Sequence, residues 1–383
     1  MICKKEACTG CYACYNICPK NCISMEEDEF GFFRPTIQEE NCIHCDLCGK
    51  VCPVNRQQLS FKEPMSAFAG WTLDDDLRTS STSGGVATVL ASEILDQGGA
   101  VFGAAIMDDL SVCHIQVTQK KDLVRIKGSK YVQSKIGTIF SDVKSVLDNG
   151  KQALFIGTAC QVSGLLSYLR KDYDRLITID LVCHGVPSYR FFKEYMDQQI
   201  DVEKVSQYTF RAGNNYTMTF YQGSKPIRQI PYRRNTYLVA FMKSLIQRPN
   251  CYTCPYANPK RVSDITLGDF WGLGDVTPFL HDRKKGVSLL LINTQKGKQL
   301  LDCCRDQLFL EQREVEEAIK GNSQLRYPTP YSEKRKKFER LYLTIGFEKA
   351  VINCYRNTFI KFRIKRFLYR ILGKSVDNLD KHL

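Results

Sequence analysis

The sequence predicts an α+β/α/β chain in three parts. Three observations predict it: a doubled run of four cysteines in the first 55 of 383 residues, an alternation of strand-like and helix-like stretches after it, and a basic tail of helical period. The parts fall at 1–57, 58–330 and 331–383.

In the first part, Cys8, Cys11, Cys14 and Cys18-Pro19 recur as Cys42, Cys45, Cys48 and Cys52-Pro53, offset by 34 residues throughout. Two Cys-x2-Cys-x2-Cys-x3-Cys-Pro runs are the ligand spacing of a bacterial ferredoxin-like domain with two [4Fe-4S] clusters. Three cysteines set three apart wrap one cubane, while the fourth, followed by proline, ligates the other. The spacing therefore assigns Cys8, Cys11, Cys14 and Cys52 to one cluster and Cys42, Cys45, Cys48 and Cys18 to the second. The crossing makes the two halves one unit held by metal, since so short a segment buries little apolar surface. Zinc sites pair two Cys-x2-Cys hooks and do not need three in a row, and a disulfide framework would not place proline after both last cysteines. Between the runs, Ile23 to Met25 and Phe30 to Phe33 read as a hairpin around the acidic turn Glu26 to Glu29.

Composition bounds the remainder. With 43% hydrophobic residues the chain can build a sizeable core, and 18 cysteines are too few for a secreted disulfide scaffold of this length. Clusters need reduced thiols, the ligands begin too early for a signal peptide, and no run of about 18 apolar residues is present, so the expected location is cytoplasmic. The net charge of +13 is uneven. Residues 333–383 hold 14 Lys/Arg against 5 Asp/Glu, while residues 1–55 hold 5 against 8. An acidic N-terminal face and a basic tail argue against a whole-protein nucleic-acid footprint.

After a polar linker from Asn55 to Pro64, strands are expected at 65–71, 99–106, 152–156 and 176–182, and helices at 84–97, 138–149, 161–170 and 188–200. Later pieces at 205–211, 217–222, 265–267 and 287–293 are β-rich, which predicts a mixed sheet. Ligands in open α/β sheets bind outside the carboxyl ends of strands. Four chemistry-rich loops follow strands: Thr79 to Gly85, Cys160, Cys183-His184-Gly185, and Gly268 to Gly272. They are expected to converge on one edge.

The loop around Ser83-Gly84-Gly85 suits a phosphate, because glycine lets the backbone approach and a helix N-terminus attracts an anion. An ordinary N-capped helix explains it as well. Lys130, in Gly128 to Ser134, is available to a phosphate or a reduced flavin, or lies in a surface turn. Cys251 and Cys254-Pro255 form another metal-type hook, and Cys160 and Cys183 are the pair whose loops point to the same edge. Four small buried cysteines are the alternative. Cys3, Cys22, Cys113, Cys303, Cys304 and Cys354 read as packing residues.

Taken together, the N-terminal ferredoxin, Ser83-Gly84-Gly85, Gly128 to Ser134, Gly157 to Val162, Asp180 to Ser188, Cys251 to Cys254 and Ser263 to Gly272 resemble the beta subunit family of coenzyme F420 hydrogenase/dehydrogenase. The resemblance covers roughly residues 1–330. It implies an α/β flavin domain at 58–330, FAD near Ser83, Gly84, Gly85, Lys130 and Gln133, and a third [4Fe-4S] cluster at Cys160, Cys183, Cys251 and Cys254. It also implies an iron–sulfur flavoprotein oxidoreductase that takes electrons from a redox partner protein or reduced ferredoxin and delivers them to a small-molecule acceptor. His184 would then hydrogen-bond the flavin or donate a proton, the alternative being a structural histidine. The alternative is a non-catalytic electron-transfer subunit of a larger redox complex; similar proteins occur in surface-polysaccharide gene sets, so the acceptor stays open.

In the tail, Ile360, Ile364, Phe367, Leu368 and Ile371 recur at helical spacing among Lys361, Arg363, Lys365, Arg366 and Arg370. Such a helix suits peripheral contact with the inner face of an anionic membrane, or an acidic partner; the alternative is a helix packed on its own domain.

Overall fold

The computed structural model describes residues 2–55, 61–211 and 216–371, so part of the expected linker and the end of the tail lie outside the described residues. The N-terminal part holds α1 (Ala13–Ile17), β1 (Ile23–Glu27), β2 (Phe33–Ile37) and α2 (Leu47–Lys50). Next come β3 (Ser66–Thr72), α3 (Asp75–Thr79), α4 (Val86–Asp96), β4 (Ala100–Ile106), β5 (Val112–Val117), α5 (Leu123–Ile126), α6 (Ile139–Asp148), β6 (Ala153–Thr158), α7 (Ala159–Leu169), β7 (Leu176–Leu181) and α8 (Tyr189–Gln199). They are followed by β8 (Gln207–Thr209), β9 (Thr217–Gln222), β10 (Lys225–Pro231), α9 (Thr236–Met242), β11 (Ile265–Asp269), β12 (Ser288–Ile292), α10 (Gln295–Cys303), β13 (Leu308–Arg313) and α11 (Val315–Gly321). The chain ends in α12 (Glu333–Ile345), α13 (Phe347–Cys354) and α14 (Arg356–Ile371).

The main sheet is mixed, as expected, with the order β13-β3-β12-β11-β7-β6-β4-β5. Strands β11, β7, β6 and β4 are parallel, and β3 runs the same way because two antiparallel pairings separate it from β11. The carboxyl ends of these five strands therefore share one edge. Alternation along the strands builds two layers. In β6, Leu154 packs with Val89, Leu90 and Ile94 of α4 on one face, while Ala153 and Phe155 pack with Phe140 of α6 and Val162 and Leu165 of α7 on the other.

Cys11, Tyr12 and Phe33 of the ferredoxin part join the α6–α7 layer. Phe32 enters a third core with α8, α9, the three-stranded sheet β10-β9-β8, and Phe338, Tyr342 and Phe347 of α12 and α13. Packing is thus continuous from the ferredoxin part into the main sheet and on into α12 and α13, while, among the described residues, α14 stands largely outside it.

Three strands went unpredicted. β10 contains Pro226 and Pro231, which suppress a strand reading, yet it is an edge strand with an irregular register between Pro226 and Arg228, where a missing N–H costs little. β5 and β13 are also edge strands. The N-terminal hairpin forms with β2 shifted to Phe33–Ile37, because the Asp28 carboxylate accepts from the N–H groups of Phe30 (3.0 Å) and Phe32 (2.9 Å) and lengthens the turn.

Candidate functional site

The doubled cysteine run is doubled in the backbone. Gly10 and His44, 34 residues apart, both take left-handed φ (64° and 53°), and so do Tyr12 and Asp46 (67° and 55°). These turns curl each run around a cavity. One cavity is lined by Cys42, Cys45 and Cys48 together with Cys18. The other is lined by Cys8, Cys11 and Cys14 together with Cys52. The lining reproduces the crossed assignment made from spacing. The two differ in exposure: Cys45 is exposed and its three companions half-buried, whereas Cys8, Cys11, Cys14 and Cys52 are all buried.

Each cavity holds a fifth cysteine, and both Cys3 and Cys22 also pack in a small apolar cluster with Ile2 and Ile23, in keeping with their reading as packing residues. Cys22 lines the outer cavity with its Sγ 3.3 Å from that of Cys18. Cys3 lines the inner one, where its hydrogen bonds to Cys52 and Cys8 raise its own pKa and lower theirs. Cys22 sits four residues after Cys18, but neither extra cysteine belongs to the repeated spacing, so the repeat did not mark them.

Sulfurs of a tetrahedral zinc site lie about 3.8 Å apart, given Zn–S bonds of about 2.3 Å. Among the described residues, the one group of three or more ligand atoms all within 4.8 Å of one another is Glu39, Cys42 and His44. None of the three cysteine quartets forms such a tight group among the described residues.

The third quartet comes from three loops. Cys160 begins α7 with its Sγ 3.1 Å from Thr158 Oγ1, Cys183 follows β7 and accepts from the Gly185 N–H at 3.4 Å, and Cys251 lies within the 3-10 helix Pro249–Thr253 that Cys254 ends. A methyl group on Gly185 would lie 3.2 Å from Cys251 Cβ, which joins the second loop to the third. Burial pushes the thiols up, Cys160 to about 11 and Cys251 to about 12, and the neighbouring sulfurs of the quartet add to the rise at Cys160, Cys183 and Cys251. A buried ion pair, Arg261 Nη2 to Asp180 Oδ2 at 3.1 Å, ties the approach to Cys183 to the segment after Cys254.

Two contacts join this quartet to the inner ferredoxin cavity. Gly164, one turn along α7 from Cys160, lies so close to Cys11 that an added methyl would be 3.0 Å from its Sγ. Arg248, fully buried and three residues before Cys251, donates to the carbonyls of Cys8 (2.9 Å) and Phe33 (2.7 Å), to Gln133 Oε1 (3.0 Å) and to Cys8 Sγ (3.7 Å). No local pattern singled out this arginine.

The expected loops do meet at the carboxyl edge. Arg211 bridges two of them, donating to Thr82 O (2.9 Å) and Asp269 Oδ1 (2.7 Å), and the Ser129 N–H donates to Thr82 Oγ1 at 2.9 Å. Ser83 Oγ is buried there without a hydrogen-bond partner. Gly84 is glycine for packing: its N–H donates to Ser288 Oγ (2.9 Å), its carbonyl accepts from Thr72, and a methyl would sit 2.4 Å from Gly70 O. Gly85, at φ 79°, opens α4. Lys130 donates to Lys127 O at 2.8 Å, and burial lowers its pKa to about 7. Gln133 faces the ferredoxin part, its amide engaged by Arg248 and by Thr9 O (3.4 Å). Burial lowers the pKa of His184, and Asp269 and Arg211 are its charged neighbours. Phe270 is buried in the core, and Trp271 is 40% exposed.

Comparison with known proteins agrees with these elements. The model of the 4Fe-4S dicluster domain matches residues 7–56. The model of the coenzyme F420 hydrogenase/dehydrogenase beta subunit N-terminus matches 67–140, and that of its C-terminus matches 150–318. An uncharacterized ferredoxin of Methanocaldococcus jannaschii is 33% identical over 64 residues, 17% of this chain and 82% of that protein. A chain of the F420-reducing [NiFe] hydrogenase complex from Methanosarcina barkeri is 17% identical with a TM-score of 0.47, covering 69% of this chain and 91% of its own. With both halves of the beta subunit matched in order behind a dicluster domain, the chain belongs to the coenzyme F420 hydrogenase/dehydrogenase beta subunit family as an iron–sulfur redox protein.

Proposed function

We propose that the chain is an iron–sulfur flavoprotein oxidoreductase that carries electrons from a partner protein, inward along three cysteine quartets, to a small-molecule acceptor at the carboxyl edge of the main sheet. The observation that carries this reading is the graded burial and contact of the quartets. The outer quartet is reachable from solvent, the inner one is buried, and the third touches the inner one through Gly164 and Arg248. When bound, [4Fe-4S] clusters supply single-electron transfer, and a flavin converts between single and paired electrons.

The chain's own residues support each role. Asp46 and Lys20 line the outer cavity beside Ile43, which is 55% exposed, and Glu39 lies against Cys42, an exposed face that a redox partner can approach. At the sheet edge, Ser83 offers a buried hydroxyl lacking a partner, and Lys130 is an amine that an adjacent anion would hold protonated. These two fit the polar end of a flavin better than Gly84 and Gln133, whose polar groups are already bonded within the protein. His184, kept neutral by burial, can donate or accept a proton at the same edge.

Anaerobic purification with iron and flavin quantified tests the reading: about twelve irons and one flavin per chain are expected, each cluster holding four. The flavin should become reduced when a low-potential electron-transfer protein reduces the clusters. About eight irons and no flavin would reduce the chain to a ferredoxin on an α/β support and overturn the proposal.

A further inference from the structure

A cubane takes four thiolates, yet each N-terminal cavity is lined by five cysteines. In the outer cavity the extra thiol, Cys22, is buried and directed at Cys18, at 3.3 Å between sulfurs. In the inner cavity Cys3 is the extra lining cysteine. Cys22 faces a ligand sulfur directly, and the sulfur it faces belongs to Cys18, the cysteine that crosses over from the other run and lies outside the tight three-cysteine loop.

We propose that Cys22 is a reserve ligand of the outer cluster, able to replace Cys18. In the exchange one iron–sulfur bond breaks and one forms. Cys22 releases its proton to solvent as it binds iron, Cys18 takes one up as it leaves, and the charge of the cluster is unchanged. The test is iron content of Cys18→Ala, Cys22→Ala and the double variant, purified anaerobically. Both single variants are expected to keep the wild-type iron, and the double variant to lose about four. The reduced Cys18→Ala protein should also show a shifted electron-paramagnetic-resonance signal, which a folded but unexchanged protein would not. Loss of about four irons in either single variant would overturn the proposal, whatever the double variant does.

An independent observation concerns α14. Of the large apolar side chains left exposed, five fall within twelve residues: Ile360 (40%), Ile364 (54%), Phe367 (63%), Leu368 (49%) and Ile371 (64%). At 3.6 residues per turn they occupy one arc of about 100°. Phe359, on another side, anchors the helix to the core. Lys361 and Lys365 border the arc on one side, Arg356 and Arg363 on the other, and α14 contains no Asp or Glu. A protein groove would cover the apolar stripe and leave both cationic borders facing water. An anionic lipid surface meets the stripe with acyl chains and both borders with phosphates.

The geometry points to α14 as a docking element for an anionic membrane surface, lying on it, since no helix among the described residues is long and apolar enough to cross one. In sedimentation with vesicles, the iron-loaded full chain should bind phosphatidylglycerol-containing vesicles at least roughly tenfold better than pure phosphatidylcholine ones. Ile364→Glu/Phe367→Glu should abolish binding and leave the iron content unchanged. Equal recovery with both vesicle types would overturn this, as would unimpaired binding by the double variant. A lipid-free dimer that the same substitutions dissociate would show that a second copy covers the stripe instead.

Discussion

Replacing Cys251 with Ala is expected to lower the iron content of the anaerobic protein from about twelve atoms per chain to about eight, the loss of one cubane. Cys251 is buried at the centre of the third quartet, joined to the Cys183 loop through Gly185 and to Cys254 through one turn of helix. Its removal leaves three thiolates for four irons. The ferredoxin cavities are separate and carry their own full sets, so their eight irons and their low-temperature electron-paramagnetic-resonance signals should persist after dithionite treatment. Passage of electrons to the sheet edge should fall sharply, because the severed step lies between inner quartet and acceptor. A variant that retained all its iron would reduce the quartet to a set of packed cysteines.

Arg248→Met is expected to lower the reduction potential of the inner cluster and the stability of the fold together. The guanidinium is fully buried and satisfies Cys8 O, Phe33 O and Gln133 Oε1 while donating to Cys8 Sγ. Losing a positive charge and a hydrogen bond at a ligand sulfur disfavours the more negative, reduced cluster, so its potential falls. Phe33 O and Gln133 Oε1 lose their donor at about 1–3 kcal/mol each, a loss on the order of 2 kcal/mol or more, while Arg34 still donates to Cys8 O. Thermal unfolding should then drop by on the order of 5 °C or more, within the range expected of a domain of 150–250 residues. Arg248→Lys separates the contributions, since it keeps a charge without the planar fork. Its potential should sit between those of wild type and Arg248→Met, as followed by redox titration of the visible absorbance. An unchanged potential in Arg248→Met would confine this residue to a structural part.

The ferredoxin part was legible because its information is local. Ligands three residues apart must wrap the same object, and a repeat of 34 residues carries over into paired left-handed turns at Gly10 and His44 and at Tyr12 and Asp46. The main sheet was legible for a similar reason. Buried strands such as Ala153–Thr158 and Leu176–Leu181 read as apolar runs, and the helices after them carry their own caps, as Ser188 does for α8. Edge strands escaped because half of their surroundings are water, which relaxes the pattern; Pro226 and Pro231 are tolerated in β10 for that reason.

By itself, then, the amino-acid order determined which eight cysteines form the two N-terminal quartets, how they cross, and that strands and helices alternate behind them, all consequences of spacing within a short reach of chain. Tertiary structure alone decided that Gly164 abuts Cys11, that Arg248 links Cys8 to the third quartet, and that α12 and α13 enter the core while α14 does not. Those contacts join residues far apart in the chain, Arg248 and Cys8 by 240 positions, and the side-chain pattern around either partner carries no record of the other. Only closure of the sheet and packing of its layers bring them together.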